Sequence, residues 1–114
     1  MTSIETKEIT CANGMPAFLA RPKGNGPFPV YIFMHERYGL VEHTRDLARR
    51  CAKDGFFVLA PDFFFKHPDK QALNAGNSRY DMTDPEAIDY LNAALASLQS
   101  EPSADLARVA IGGY

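Results

Sequence analysis

The stretch VYIFMHERYGL, residues 30–40, changes from apolar to charged in its middle. Residues 30–34 form a continuous apolar run that is rich in strand-forming side chains. A continuous run, rather than an alternating one, indicates a strand buried on both faces, as in a parallel sheet. His35, Glu36 and Arg37 follow directly. The strand is therefore predicted to deliver three titratable side chains to the edge of the sheet at which it ends.

Four further segments have strand patterns. Residues 4–10 alternate weakly, and 15–21 are predicted to return beside them as the second strand of a hairpin. Asn13-Gly14 lies between these two segments and is typical of a two-residue type I′ turn. The runs at 56–60 and 108–114 resemble residues 30–34 in composition, which predicts two more buried strands.

Two segments carry a helical pattern. Residues 43–54 are predicted to form a helix that ends at a C′ glycine, Gly55. Its apolar stripe comprises Leu47, Ala48, Cys51 and Ala52.

Asp84-Pro85 is predicted to supply the N-cap and N1 residues of the second helix. Residues 63–83, which precede this helix, show no period and are predicted to be a long loop of the kind that is often functional. The core face of the second helix is predicted to comprise Ile88, Leu91, Leu95 and Leu98.

The order of elements is a hairpin followed by strand, helix, strand, helix and strand. Two right-handed β-α-β units on one sheet are the natural assembly, so we expect an α/β fold with a mostly parallel sheet, an N-terminal antiparallel hairpin and helices on both faces. Two helices cannot cover both faces of a five-stranded sheet. We therefore expect residues 1–114 to be the N-terminal portion of a larger domain, and a compact small α/β domain is the alternative.

Composition excludes several classes of function. The 114 residues are 46% apolar and 23% charged with a net charge of −2, which is an ordinary globular balance and not a nucleic-acid-binding one. The N-terminus lacks the apolar core of a signal peptide, and no run approaches the ~20 apolar residues of a membrane span. Cys11 and Cys51 are far apart and are expected to be free thiols in a reducing compartment. These features predict a soluble, cytoplasmic protein that binds neither nucleic acid nor membrane.

Three segments together resemble the dienelactone hydrolase (carboxymethylenebutenolidase) family, a branch of the α/β-hydrolase fold. The first is the strand that leads into Glu36, Arg37, Tyr38, Gly39 and Leu40. The second is the helix with Arg45-Asp46, continued by Gly55-Phe56 and Pro61-Asp62. The third is ARVAIGGY, which resembles the strand before a nucleophile elbow, with Gly113 and Tyr114 as the first two elbow positions. The resemblance implies the N-terminal half of a single α/β-hydrolase domain.

The resemblance also implies roles for individual residues. The nucleophile, usually Cys in this family, would follow Tyr114 directly, and the catalytic Asp and His would come later. The backbone N–H of Arg37 would be one oxyanion donor, and Glu36 would help to activate the nucleophile. Tyr38 would line the substrate pocket, and Arg79 would bind a substrate carboxylate.

The residues alone leave alternatives open. A carboxylate at the end of a buried strand is costly unless it is paired or functional, so Glu36 could instead form an ion pair with Arg37 or Arg45. Tyr38 could serve only in packing, and Arg79 could point into solvent. His35-Glu36 does not continue as H-E-x-x-H, since position 39 is Gly39, so no metal site is predicted. His35 is instead expected to be a hydrogen-bonded residue near the cleft. Asp62 is predicted to cap the long loop.

The expected activity is hydrolysis of ester or lactone bonds in small molecules, through a covalent acyl-enzyme and without a cofactor. Residues 1–114 would supply only part of such a site, so the segment alone is expected to be inactive and to need the remainder of the domain. A serine esterase, thioesterase or peptidase of the same fold is the alternative, and so is a non-catalytic relative. A nucleotide-binding or flavin-binding module is disfavoured, because the turn after residue 34 is acidic and lacks G-x-G-x-x-G.

Overall fold

A computed structural model describes residues 3–113, and within them the chain forms five strands, three α-helices and one 3₁₀ turn. The strands are β1 Ile4–Thr10, β2 Pro16–Pro22, β3 Phe28–Met34, β4 Phe57–Pro61 and β5 Ala104–Gly113. The helices are α1 Glu42–Lys53, α2 Lys70–Asn74 and α3 Asp84–Ser97, and the 3₁₀ turn Leu98–Ser100 continues α3. The elbow position predicted at Tyr114 lies outside the described residues.

All five strands join one mixed sheet in the order β1-β2-β4-β3-β5. The β1/β2 and β2/β4 pairs are antiparallel, whereas β3/β4 and β3/β5 are parallel. Four strands therefore share one direction and β2 alone opposes them. The predicted α/β class, with an N-terminal antiparallel hairpin and a largely parallel sheet, is confirmed.

Helices lie on both faces of this sheet, as predicted. Successive strand residues point to opposite faces, so each buried strand supplies side chains to two separate cores. The core beneath α1 consists of Phe18, Ala20, Phe33, Val58 and Ala60 with Ala48 and Ala52 of the helix. The core beneath α3 is centred on Ala17, Leu19, Val30, Ile32, Phe57 and Leu59 with Tyr90, Ala94 and Leu98.

The hairpin turn differs from its prediction. The N–H of Gly14 donates to the carbonyl of Cys11 at 2.9 Å, and the Cys11 N–H donates to Met15 at 2.8 Å. Gly14 has a φ of +87°, whereas no described residue other than glycine has a positive φ. A type I′ turn needs a positive φ at both central residues, so the type I′ prediction at Asn13-Gly14 is wrong. Gly14 instead adopts its positive φ near the end of a longer loop that joins β1 to β2.

Helix α1 follows its sequence pattern closely. Thr44, Ala48 and Ala52 are buried, while Leu47 and Cys51 are half-buried beside them. Gly55 adopts a φ of +105° and donates its N–H to Ala52 at 3.0 Å, which confirms it as the C′ residue. The helix thus ends where the chain must turn back into β4.

Helix α3 corrects two predictions. Thr83, not Asp84, is the N-cap, because its hydroxyl accepts from the N–H of Glu86 in a capping box. Pro85 is therefore the second residue of the helix, one position later than predicted. Ile88 is 58% exposed and does not belong to the core face. The buried positions are Tyr90, Ala94 and Leu98, so the stripe is rotated towards the tyrosine. No helix within residues 3–113 is long and apolar enough to cross a membrane.

Residues 63–83 are not a continuous loop, because α2 interrupts them. Asp69 is its N-cap and accepts the N–H of Ala72 at 3.1 Å, and Leu73 is buried. Asp62 begins the segment and accepts the N–H of Phe64 at 3.2 Å, which confirms its predicted capping role. The segment is therefore anchored at its start and near its middle.

Strand β5 was predicted over 108–114 as a buried strand, and it differs in extent and burial. It begins earlier, at Ala104, and pairs with β3 alone at the edge of the sheet. Leu106, Val109 and Ile111 are each more than a third exposed. Within the described residues, this strand has apolar composition without apolar cover.

Candidate active site

The candidate site lies at the carboxyl end of β3, where the chain leaves the sheet in a tight turn. The N–H of Gly39 donates to the carbonyl of Glu36 at 3.1 Å, which closes a four-residue turn. Gly39 has a φ of +81°, and a Cβ there would approach the Leu73 side chain to 3.2 Å. Glycine therefore allows the turn to pack against α2, and this packing fixes the direction in which Glu36 to Tyr38 project.

His35 is the first residue after β3 and is buried, with 7% of its surface exposed. Its Nδ1 lies 2.7 Å from the carbonyl oxygen of Glu36, and its Nε2 accepts the N–H of Phe63 at 3.0 Å. Since Nε2 accepts, Nδ1 must carry the proton and donate to Glu36. The imidazole thus joins the turn after β3 to the residue that follows β4, as a hydrogen-bonded residue near the cleft, in agreement with the prediction.

The environment keeps this imidazole neutral. Burial lowers the pKa of His35 from its ordinary value of 6.5, and it outweighs the hydrogen bond to Glu36 and the attraction of Asp62, which act in the opposite direction. Asp62 Oδ1 lies 4.0 Å from Nε2, and the nearby Lys70 ammonium favours the neutral ring as well. Phe63 and Phe64 contact the ring edge-on and exclude water from it.

Glu36 is half-buried and lines a pocket of about 310 Å³. Its carboxylate makes no hydrogen bond and no ion pair with any residue in 3–113. Arg45, the more distant candidate partner, instead pairs with Glu8 at 3.3 Å. The alternative of a structural ion pair is thus contradicted within the described chain. The remaining lining residues of the pocket are Tyr38, Val41, His43, Thr44 and Asn74.

Arg37 presents its backbone and its side chain separately. Its N–H donates no hydrogen bond to any other part of the described chain. Its guanidinium stacks on the Tyr38 ring at 4.7 Å from the ring centre and donates to the Tyr38 hydroxyl at 3.3 Å. The charge is therefore held against an aromatic face, and the backbone donor remains available.

Tyr38 and Arg79 lie in different places. Tyr38 lines the pocket of Glu36. Arg79 is largely exposed and pairs with Asp81 at 3.4 Å. It borders a second groove of about 220 Å³ together with Arg37 and residues 76–78. The structure thus brings Arg79 near the Arg37 side chain but not into the pocket that Glu36 and Tyr38 share.

Several residues of the site were missed from the sequence. His43, Thr44 and Asn74 line the pocket because α1 and α2 border it. Their positions depend on how the helices pack, so no local pattern signals them. No three His, Cys, Asp or Glu side chains between residues 3 and 113 come together as metal ligands.

A polar cluster holds the segment between α2 and α3. The Tyr80 hydroxyl donates to Glu86 at 2.5 Å, and the Tyr90 hydroxyl donates to the same carboxylate at 3.1 Å. These bonds raise the pKa of Tyr80 and lower that of Glu86. Tyr80 also stacks on Phe64, with ring centres 5.2 Å apart. The segment that borders the second groove is thereby tied to α3 and to the loop after β4.

Comparison with known proteins places this architecture. A family model described as "Dienelactone hydrolase family" matches residues 15–114, which is most of the chain. The chain belongs to the dienelactone hydrolase family. A relative from Methylorubrum extorquens named "Putative carboxymethylenebutenolidase" is 33% identical over 105 residues. A "Putative dienelactone hydrolase" from Klebsiella pneumoniae superposes with a TM-score of 0.80 at 28% identity.

The matches cover most of this chain but only part of each dienelactone hydrolase relative. The Methylorubrum match covers 88% of this chain and 36% of the relative, and the Klebsiella match covers 98% and 50%. A further relative from Synechocystis, also named "Putative carboxymethylenebutenolidase", is 28% identical over 97% of this chain and 50% of its own. The chain thus spans about a third to a half of the length of these relatives.

The neutral His35 predicts how stability changes with pH. Because burial lowers the pKa of His35 in the folded state, the unfolded state binds more protons below about pH 6.5. The free energy of unfolding is therefore expected to fall as the pH drops from about 7 to about 5.5. Urea unfolding across this range measures the change.

The His35→Gln variant should lose most of this pH dependence, because it has no imidazole to protonate. His43→Gln removes an exposed imidazole and is the control for a general effect of losing one histidine. A His35→Gln protein with the same pH slope as the wild type would contradict the assignment.

Proposed function

We propose that the whole protein hydrolyses ester or lactone bonds of small molecules through a covalent acyl-enzyme, with its nucleophile directly after Tyr114. Family membership supports a hydrolase in general. The observation that carries the finer proposal is the pairing of Glu36 and Arg37 in one turn. An unpaired carboxylate and an unused backbone donor stand side by side at the carboxyl end of a buried parallel strand, where α/β folds bind their ligands.

Position supports the link to a nucleophile. Strands β3 and β5 are hydrogen-bonded neighbours, and Met34 pairs with Gly113 at their carboxyl ends. The turn that holds Glu36 therefore begins beside the point at which β5 delivers the chain. A residue placed just after Tyr114 in the whole protein would enter the region faced by this turn, since parallel strands end at the same edge of a sheet.

The proposed mechanism assigns one step to each group. The Glu36 carboxylate accepts the proton of a Cys nucleophile, because the thiolate rather than the thiol attacks. The thiolate sulfur forms a bond to the substrate carbonyl carbon, and the carbonyl electron pair moves onto oxygen. The Arg37 N–H donates to this oxyanion. Collapse of the tetrahedral intermediate breaks the ester C–O bond, and the alkoxide leaves as the alcohol with the proton that Glu36 had accepted. Water then attacks the thioester carbon, which breaks the C–S bond, releases the acid and returns a proton to the thiolate, with the aid of Asp and His residues supplied by the rest of the domain.

Substrate binding is proposed from the two grooves. Tyr38 would pack against the substrate in the pocket of about 310 Å³, which suits a small molecule. Arg79 would meet an anionic group of the substrate only if that group extends into the second groove, in which Arg37 adds a second positive charge. We also propose a reducing, cytoplasmic location, which the free thiols of Cys11 and Cys51 support.

Glu36→Gln tests the proposed proton acceptor in the whole protein. Loss of a general base of this kind lowers turnover by roughly 10²-fold or more, so we expect kcat/KM for p-nitrophenyl acetate to fall by that amount. The free energy of unfolding should change by less than about 0.5 kcal/mol, because the carboxylate has no described partner to lose.

Glu42→Gln is the matched control, since Glu42 is an exposed carboxylate on α1 that pairs with Arg49. It should retain the activity of the wild type. Undiminished turnover in Glu36→Gln would refute the role of Glu36.

The Arg37 backbone donor is tested by comparing two substitutions. Arg37 is the second residue of the four-residue turn, a position that accepts proline, so Arg37→Pro removes the N–H while the turn can persist. We expect kcat to fall by roughly 10²–10³-fold, as for loss of one oxyanion donor. Arg37→Ala keeps the N–H and should keep kcat within about three-fold of the wild type.

Steady-state kinetics, with urea unfolding to show that both variants are folded, give the answer. Equal losses of kcat in Arg37→Pro and Arg37→Ala would assign the effect to the side chain and contradict a backbone role.

A further inference from the structure

We infer that His35 is a positioning residue, whose Nδ1–H aims the backbone N–H of Arg37 towards the developing oxyanion. The inference rests on the proposed function and adds to it a residue whose side chain contacts neither substrate nor nucleophile. It starts from the 2.7 Å contact between His35 Nδ1 and the carbonyl oxygen of Glu36.

The Glu36 carbonyl and the Arg37 N–H belong to one peptide unit. This unit is planar, and it is trans, since Gly26-Pro27 is the cis peptide bond of the described chain. In a trans unit the C=O and N–H bonds point in opposite directions. A donor that holds the Glu36 oxygen on the protein side therefore turns the Arg37 hydrogen to the other side.

Two donors hold that carbonyl, and His35 makes the shorter contact. The Gly39 N–H reaches it at 3.1 Å from within the turn itself, whereas the imidazole lies 2.7 Å away and is fixed from outside the turn. Each hydrogen bond to the carbonyl also polarises the peptide unit, which strengthens its N–H as a donor. His35 therefore supplies both direction and donor strength.

The imidazole is itself held in place. The Phe63 N–H binds Nε2 at 3.0 Å, so the ring cannot flip without losing a buried hydrogen bond. Phe64 lies against the ring with centres 4.6 Å apart. Phe63 follows β4, which pairs with β3 in the sheet. Through the His35 side chain, the orientation of the Arg37 peptide therefore depends on the end of β4 as well as on the end of β3.

A neutral ring is required for this arrangement. Protonation at Nε2 would turn the acceptor of the Phe63 N–H into a donor and break that bond. Burial keeps the pKa of His35 low, so the ring stays in the Nδ1–H form at neutral pH. His35 thus differs from the catalytic histidine of a hydrolase, which must gain and lose a proton.

Two substitutions in the whole protein separate positioning from a structural role. In His35→Asn the side-chain amide NH₂ occupies the place of Nδ1 and can still donate to Glu36, but the buried Phe63 N–H loses its acceptor. In His35→Gln the longer side chain reaches Phe63 with its carbonyl, but the donor to Glu36 is lost. Asn should therefore be the less stable variant and Gln the less active one.

The expected kinetic result is a fall of roughly ten-fold in kcat for His35→Gln with little change in KM, a partial loss of one oxyanion donor. His35→Asn should keep kcat within about three-fold of the wild type despite its lower midpoint of urea unfolding. A structural role predicts the opposite order, with activity following stability. Equal kcat in the wild type and His35→Gln, or activity that ranks with stability, would overturn the inference.

An NMR measurement tests the positioning role of His35 independently of esterase activity, so its failure can be distinguished from failure of the proposed function. In ¹⁵N spectra of the whole protein, the Arg37 amide signal should move in His35→Gln and stay close to the wild-type position in His35→Asn. A wild-type protein without esterase turnover, in which the Arg37 signal moves as expected, would refute the proposed function and retain the positioning role. A His35 ring with its proton on Nε2 would overturn the positioning role whatever the activity.

Discussion

The hydrogen bonds of one buried imidazole connect the two strand ends on which the candidate site depends. His35 donates to the carbonyl of Glu36 and accepts from the N–H of Phe63, so the turn after β3 cannot move independently of the chain after β4. The parallel pairing of β3 with β4 places these two ends at the same edge of the sheet. This connection supports the proposed direction of the Arg37 peptide, whereas the pocket beside Glu36 also depends on the packing of α1 and α2.

The arginine side chains near the turn have partners within the described residues, whereas the carboxylate of Glu36 has none. Arg45 pairs with Glu8, and the Arg37 guanidinium stacks on Tyr38. The carboxylate of the half-buried Glu36, which lines the pocket, has no partner within residues 3–113. A carboxylate without a partner at the end of a buried strand is a candidate functional group. A catalytic role would explain its position.

The sequence predicted best where a pattern is local and buried. The continuous apolar runs at residues 30–34 and 56–60 became β3 and β4, and Gly55 ended α1 as expected, because burial and backbone geometry there depend on near neighbours. Prediction failed where longer-range packing decides. Ile88 has the right spacing for the core, but Tyr90 occupies that face, since its hydroxyl reaches Glu86 while its ring packs against Phe65.

The same limit applies to the site, because side chains that directly follow a buried strand could be predicted and contacts that depend on packing could not. Glu36, Arg37 and Tyr38 could be singled out because they directly follow a buried strand. The sequence suggested for His35 no more than a hydrogen-bonded residue near the cleft, since its two partners, Glu36 and Phe63, meet only when β3 and β4 pair. Arg79 illustrates the opposite case, because its place in a groove separate from that of Glu36 depends on how the chain between α2 and α3 is tied to Glu86.

The most direct measurement is a crystal structure of the whole protein with a trifluoromethyl ketone bound as a mimic of the tetrahedral intermediate. We expect the ketone carbon to be bonded to the residue after Tyr114, and its oxyanion to lie within about 2.7–3.1 Å of the Arg37 nitrogen. Glu36 should lie beside the attacking atom, with His35 still bound to the Glu36 carbonyl. An adduct on another residue, or an oxyanion that turns away from Arg37, would contradict this expectation.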